Sequence, residues 1–213
     1  MTEAEAVFDL TADLYVGFVG TEVSEATEGP IDRSLLLAFV EMVRARPYGL
    51  VADVGCGPGR VASLLAKHDI SVIGLDVSEG LLAHARAAHP ALPFENGQLD
   101  DLPLDDGSLV GAVCWYSIIH TPPSALDVVF GELARVLEPG GLLLLAFQEG
   151  DGEAVRRLDA QGSGLPLSSY RHSVDDVADR LCSASFNVHA TTRRDPELDH
   201  ETTPQAFVFA HRA

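Results

Sequence analysis

The chain has 213 residues, of which 46% are hydrophobic, and its formal net charge is −18. This length and hydrophobic content predict one folded domain with a sizeable core and exclude wholesale disorder. The acidic charge repels phosphate backbones, and the densest basic sites, Arg156-Arg157 and Arg193-Arg194, are too sparse for a basic patch, so we expect no nucleic-acid partner.

Two helices are predicted before the first strand. Apolar residues share one helical face of residues 3–16, namely Val7, Leu10 and Leu14. A second strong helical pattern covers residues 31–44. We therefore expect residues 1–47 to form a helical cap segment.

Short apolar strands alternate with helices between residues 50 and 147. Strands are predicted over residues 50–54, 71–76, 91–95, 109–115 and 142–147. Helices are predicted over residues 60–67, 78–89 and 122–137. Because this alternation is typical of βαβ units and the strands are rich in Val, Ile and Leu, we predict a parallel sheet with helices on both faces.

The remainder of the chain departs from this pattern. Residues 148–171 are rich in Gly, Ser and charged residues, with one short helical piece predicted around residues 153–159. A helix capped by Ser173 and two last strands, over residues 186–192 and 205–211, complete the chain. The prediction for residues 1–213 is a single α/β domain: a Rossmann-like doubly wound sheet of about seven strands, mostly parallel with an antiparallel C-terminal strand.

A glycine-rich turn follows the first strand, in the segment Val-Ala-Asp-Val-Gly-Cys-Gly-Pro-Gly-Arg at residues 51–60. Glycines at positions 55, 57 and 59 let the backbone bend sharply and let a ligand approach it closely. Asp76 ends the next strand, 21 positions after the first glycine, where its carboxylate can accept hydrogen bonds from a ribose diol. The pattern predicts a nucleoside-containing cofactor across the carboxyl ends of parallel strands.

Four segments in order carry a family resemblance. They are the glycine turn, residues 72–78 with 81–86, residues 96–104, and residues 132–141. Over residues 50–147 the chain resembles the class I S-adenosylmethionine (SAM)-dependent methyltransferases, specifically the small-molecule branch with the ubiquinone- and menaquinone-type enzymes. The resemblance implies SAM as cofactor, S-adenosylhomocysteine (SAH) as product, and methyl transfer to a small-molecule acceptor by in-line displacement.

The resemblance also implies which residues hold the cofactor. Asp53 and the Gly55 carbonyl region face the methionine ammonium group, and Asp76 holds the ribose hydroxyls. Gln98 stands where relatives often carry Asp, and its carbonyl can still accept from the adenine amino group. The full implied set is Tyr15, Asp53, Gly55, Cys56, Gly57, Gly59, Arg60, Asp76, Val77, Gln98, Leu99 and Trp115. Two members have structural alternatives, since Tyr15 can be a packed helix aromatic and Trp115 a wall or core residue.

The acceptor side is implied by residues 114–120, Cys-Trp-Tyr-Ser-Ile-Ile-His, at the end of the fourth strand. The polar candidates there are Tyr116, Ser117 and His120. His120 can act as a general base on an acceptor hydroxyl, or it can only shape the pocket. Residues 148–171 are expected to form an acceptor-side lid, whose Tyr170 and Arg171 either contact the acceptor or are solvated.

Cysteine usage and hydropathy limit the compartment and the partners. Three widely spaced cysteines argue against a disulfide framework, and we expect no metal site. The acidic N-terminus does not resemble a signal peptide, and the apolar stretches are too short to span a membrane, so a cytoplasmic location is expected.

Two other functions compete with methyl transfer. A protein that binds SAM without catalysis, as a regulatory or assembly partner, would share every motif above. A nicotinamide-dependent oxidoreductase is disfavoured because the dinucleotide fingerprint needs a third glycine three residues after the second, and here Arg60 occupies that position. The sequence determines neither the acceptor nor the oligomeric state.

Overall fold

The structure, a computed structural model, describes residues 2–213. Its helices are α1 (Glu3–Val19), α2 (Pro30–Arg44), α3 (Arg60–Lys67), α4 (Glu79–Ala88), α5 (Leu126–Val136) and α6 (Val174–Ser183). Its strands are β1 (Leu50–Val54), β2 (Ser71–Asp76), β3 (Phe94–Asn96), β4 (Leu109–Trp115), β5 (Leu137–Gln148), β6 (Ala154–Arg157), β7 (Leu167–Tyr170), β8 (Phe186–Arg194) and β9 (Gln205–Arg212).

One seven-stranded sheet organises the domain, with the strand order β3-β2-β1-β4-β5-β9-β8. The first five strands of this order pair in parallel, whereas β9 is antiparallel to both β5 and β8. The predicted fold class is thereby confirmed. The strand order reverses between β1 and β4, and ligands of open α/β sheets bind at such a point, beyond the carboxyl ends of the strands.

Apolar side chains cover both faces of the sheet. One core lies between the sheet and helices α5 and α6, and the other lies between the sheet and helices α2, α3 and α4. All seven residues of β4 are buried, which explains their continuous apolar sequence. The carboxyl end of β4 is therefore held rigidly where the candidate site begins.

The segment between β5 and α6 differs from its prediction. The helical piece predicted around residues 153–159 is wrong, because residues 154–157 form β6 and pair antiparallel with β7. The register places Ala154 opposite Tyr170 and Arg157 opposite Leu167. Pairing with a segment about a dozen residues away overrides the local helical pattern. A short window of sequence does not contain that pairing.

The orientation of α1 also differs from its prediction. Val7 is fully buried, but Leu10 and Leu14 are 67% and 65% exposed. Besides Val7, the helix buries Thr11, Ala12 and Val19. The predicted apolar face is thus wrong, because the inward stripe of the helix is rotated away from its largest side chains.

Candidate functional site

A cavity of about 960 Å³ opens at the carboxyl edge of the parallel strands. Its walls come from the glycine turn after β1, the end of β2, the segment after β4, helix α1 and the β6–β7 hairpin. A second cavity of about 30 Å³ adjoins it and shares Tyr15, Gly55, Gly57 and Trp115. The main volume lies at the upper end of the range for ligand pockets, so it can hold a cofactor and an acceptor together.

Glycine is required in the turn after β1 for two separate reasons. Gly55 has a φ of +77°, and a Cβ there would lie 2.2 Å from the Cβ of Ser117. Gly57 has a φ of +53°, but its Cβ would meet nothing closer than Tyr15 Cε1 at 3.8 Å. The N–H groups of Gly55 and Cys56 donate to the Leu75 carbonyl at 2.7 and 2.9 Å, which holds the turn against β2. The bare backbone of residues 55–57 therefore faces the cavity.

Asp76 joins the glycine turn to the end of β2. Its Oδ2 accepts a hydrogen bond from the Gly57 N–H at 2.7 Å, and its Oδ1 accepts from the Ser78 N–H at 2.9 Å. Burial raises the pKa of this carboxyl, while the backbone hydrogen bonds act in the opposite direction. Each carboxylate oxygen keeps a lone pair for a further donor, and the residue lines the cavity.

Asp53 lies behind the turn, beside the smaller cavity. Its Oδ2 accepts from the Ala62 N–H at 2.8 Å, and burial raises the pKa of the carboxyl to about 7. The Nε1 of Trp115 is buried in the same wall and has no hydrogen-bond partner among residues 2–213. The charge of Arg60 lowers the pKa of Asp53 in part, but that guanidinium is already paired with Glu28. A buried carboxyl, an unpaired N–H and a glycine cradle fit an aminoacyl ligand that brings an ammonium group.

The other predicted cofactor residues occupy different positions around the turn. Tyr15 lines both cavities, and Cys56 lines the smaller one. Arg60 also borders the smaller cavity, but its guanidinium forms an ion pair with the buried Glu28. Gly59 lies outside both cavity linings; a Cβ there would come within 2.9 Å of Phe94 Cζ, so it serves packing.

Three further predicted residues, Val77, Gln98 and Leu99, line the main cavity beyond Asp76. The main-chain carbonyl of Gln98 accepts a hydrogen bond from the Asp101 N–H at 3.1 Å, which shapes the loop after β3. The predicted adenine-side residues are therefore adjacent to the predicted ribose-binding carboxylate.

His120 lies on a short 3₁₀ turn, residues Ile118–His120, after β4. Its Nδ1 is 3.0 Å from the carbonyl oxygen of Ser168. Because a carbonyl only accepts, Nδ1 carries the hydrogen and Nε2 of the neutral ring has a free lone pair. Burial lowers the pKa of His120, the Ser168 hydrogen bond raises it, and the charge of Arg157 lowers it further. The side chain lines the main cavity as a neutral base.

The remaining acceptor-side candidates also line the main cavity. Tyr116 has a φ of +59°, and burial raises the pKa of its hydroxyl. Ser117 lies directly beneath Gly55, where its Cβ would be 2.2 Å from a Cβ added to the glycine. Tyr170 stacks on His172, with ring centroids 6.3 Å apart. Arg171 Nη1 lies 3.4 Å from Glu153 Oε1, and its Nε is buried without a partner among residues 2–213.

Several cavity residues are absent from the sequence-based set. They come from α1, from β6 and from the loop after β8, and include Phe8, Phe18, Val155, Arg157 and His200. Phe8 packs edge-on against His120, and Phe18 packs edge-on against His200. Apolar residues left over on one side of α1 are the only sequence signal for this wall, and β6 gave none because it was predicted as a helix.

Neither a metal-binding cluster nor a membrane-spanning helix is found in the part of the chain that the structure describes. Residues 2–213 contain no group of three or more His, Cys, Asp or Glu side chains placed to hold a metal ion. None of their helices combines the length and the hydropathy needed to cross a membrane.

Comparison with known proteins identifies the domain. Residues 51–141 match the methyltransferase domain family. A protein of Mycolicibacterium smegmatis named as a probable S-adenosylmethionine-dependent methyltransferase is 41% identical over 144 residues, 66% of this chain and 53% of that protein. An O-methyltransferase of Pyrenophora dematioidea is 32% identical over 152 residues, 65% of this chain and 56% of that protein.

The fold comparison extends over the whole chain. Magnesium protoporphyrin IX methyltransferase from Synechocystis PCC 6803, solved with bound SAM, superposes with a TM-score of 0.72 at 19% identity and covers 100% of this chain and 98% of its own. The chain spans about half the length of the curated relatives it matches. The matched domain, the sheet order and the named relatives agree: residues 51–141 form a methyltransferase domain of the class I SAM-dependent type.

Proposed function

We propose that the protein transfers the methyl group of SAM to a small-molecule acceptor. The observation that supports this proposal best is that one cavity is lined by the glycine turn, by Asp76 and by the imidazole of His120. A cofactor held at the turn and an acceptor held at His120 would therefore share one cavity. Such an arrangement can align two reactants.

We assign the cofactor contacts to residues that line the two cavities. The free lone pairs of Asp76 accept from the ribose hydroxyls, and Asp53 faces the ammonium group. Gln98 and the Leu99 N–H lie toward the adenine. When bound, SAM supplies an electrophilic methyl group on a sulfonium, which is already a good leaving group, so the chain needs no metal or nucleophilic triad.

His120 supplies the base if the acceptor is a hydroxyl. Its Nε2 accepts the hydroxyl proton, while the Nδ1–H donated to Ser168 fixes the tautomer and the ring orientation. The lowered pKa of His120 keeps the ring neutral and able to accept a proton at pH 7. General-base contributions of this kind are about 10²–10⁴-fold in rate.

The test combines cofactor binding with turnover. Wild-type protein should bind SAH in calorimetry and should transfer radiolabelled methyl from SAM to at least one member of a panel of phenols, hydroxy acids and amines. His120→Gln should retain SAH affinity while kcat on a hydroxyl acceptor falls about a hundredfold. His84→Gln is the matched control, since His84 lies on α4 and pairs with the exposed Asp13.

Three outcomes separate the competing functions. Absence of SAH binding would overturn the cofactor assignment. SAH binding without a methylated product from any member of the panel would support a non-catalytic SAM-binding protein instead. Full activity in His120→Gln would remove the base from the mechanism and leave the transfer itself intact.

A further inference from the structure

Two arginines line the hairpin side of the main cavity, Arg157 on β6 and Arg171 directly after β7. Cations at a ligand cavity are notable in a chain with a net charge of −18. Neither guanidinium is used by the cofactor contacts proposed above.

Arg157 faces the cavity because of strand alternation. Val155 and Arg157 line the cavity, whereas Arg156 between them does not. Arg156 instead lies 3.1 Å from Glu3 Oε1 and 3.0 Å from Ser168 Oγ. Arg157 is exposed at this edge of the cavity and forms no ion pair with a carboxylate of residues 2–213. One arginine of the pair is thus internally neutralised, and the other is left for a ligand.

Arg171 is only partly satisfied by the protein. Its side chain is 27% exposed, and its single carboxylate contact, Nη1 to Glu153 Oε1, is long at 3.4 Å. Its Nε is buried without a partner in the described chain. A buried guanidinium N–H that lacks an acceptor requires a ligand or solvent to complete it.

The carboxylates of the cavity do not cancel these charges. Three line it, Glu3, Asp76 and Asp100. Glu3 is engaged by Arg156 and by the Ser168 N–H, and Asp76 accepts from the backbone of the glycine turn. Asp100 follows Gln98 and Leu99, on the adenine side. The hairpin side therefore has one unpaired arginine and one weakly paired arginine.

We infer that the acceptor is an apolar molecule carrying one carboxylate, which Arg157 and Arg171 recognise. This inference rests on the proposed function, since it assigns the acceptor end of the same cavity. Guanidinium groups bind carboxylates through paired, charge-assisted hydrogen bonds. A single negative charge matches one free arginine plus one already shared with Glu153. Apolar walls from Phe8, Val129 and Leu167 match an apolar body.

The experiment measures preference for charge, independently of turnover. Matched carboxylate and primary amide pairs, aromatic (hydroxynaphthoate and hydroxynaphthamide) and aliphatic (decanoate and decanamide), are titrated calorimetrically into protein saturated with SAH. Wild-type protein should bind at least one carboxylate about tenfold more tightly than its amide. Arg157→Gln and Arg171→Gln should each lose most of that preference. Arg180→Gln on α6 should keep it, since Arg180 pairs with Asp176 and Asp127 and does not line the cavity.

The outcomes distinguish this inference from the function on which it rests. SAH affinity is measured for every variant, and an unchanged value shows that the fold and the cofactor end are intact. SAH binding with no carboxylate preference in any pair, or a preference that survives in both Arg157→Gln and Arg171→Gln, would overturn the inference alone. A wild-type protein that fails to bind SAH would overturn the proposed function first.

Discussion

The two ends of the cavity differ in how much of their lining is backbone and how much is side chain. The proposed cofactor end is built around backbone, a glycine turn between β1 and α3 whose N–H groups donate to Leu75 and to Asp76. The side chains of Asp53, Asp76 and Gln98 lie beside this turn. The acceptor end consists of side chains on α1 and on the β6–β7 hairpin, joined by ion pairs such as Glu3 with Arg156 and Glu153 with Arg171.

This difference separates what the fold fixes from what it leaves free. A backbone cradle tolerates few residues, because each requires a particular φ or the absence of a Cβ. A wall of side chains on a hairpin and a helix can be changed without disturbing the sheet, as binding loops on rigid scaffolds commonly are. Folding stability should therefore respond sharply to substitutions in the glycine turn and weakly to substitutions in the wall formed by the hairpin and α1.

The largest effect is expected at Gly55. Gly55→Ala combines an unfavourable φ with a Cβ 2.2 Å from that of Ser117, so we expect about 3 kcal/mol of destabilisation. Gly57→Ala is the matched control, since its Cβ meets nothing within 3.7 Å, and only about 1 kcal/mol is expected from φ. Urea unfolding of both variants measures the difference. Equal losses would show that the contact with Ser117 does not limit the turn.

Asp76 should give the next largest effect, on cofactor affinity. Asp76→Ala removes a charged acceptor for the ribose hydroxyls and leaves the Gly57 N–H without its partner, so SAH should bind about a hundredfold more weakly. Calorimetry measures this, with Asp179→Ala on the exposed side of α6 as control. Unchanged affinity would place the ribose elsewhere and break the assignment of this end of the cavity.

The same contrast explains what the sequence predicts. Strands β1, β2 and β4 and helix α3 match their predicted bounds, because local apolar runs and glycines encode them. The spacing from the glycine turn to Asp76 identified two segments that the structure joins by the hydrogen bond from the Gly57 N–H to Asp76. Chemistry built on backbone leaves a sequence signal because few residue types satisfy it.

Side-chain walls leave no comparable signal. Residues 153–159 were predicted to contain a helical piece, and the pairing of β6 with β7 that overrules it depends on contacts across a loop. Arg157 was therefore never a candidate, although strand alternation directs it to the cavity. Leu14 lines the cavity although it was predicted only as part of an apolar helical face, because such a face does not distinguish core packing from the rim of a cavity.

Asp53 predicts a pH dependence at the cofactor end. Its pKa of about 7 leaves the carboxyl half protonated near neutrality, and the ammonium group of SAH favours the ionised form. Affinity for SAH should therefore rise about tenfold between roughly pH 6 and pH 8, with a proton released on binding. Calorimetry in buffers of different ionisation enthalpy detects that proton. Asp53→Asn should bind more weakly and without the pH dependence; a flat profile for wild-type protein would contradict the placement.

The smallest effect is expected where α1 meets the hairpin. Glu3 contacts Arg156 at 3.1 Å and the Ser168 N–H at 3.2 Å, and hydrogen bonding lowers the pKa of its carboxyl. The contact is therefore fully present above the usual pKa of Glu and is lost only as the pH falls through the lowered pKa. Because the group is exposed and screened by salt, Glu3→Gln should speed hydrogen exchange in β7 only about twofold, and added salt should give the same increase in wild-type protein. Amides of β4 serve as the internal control. A larger change that spread into β4 would mean that the hairpin and the sheet open together, and the two ends of the cavity would then be one cooperative unit.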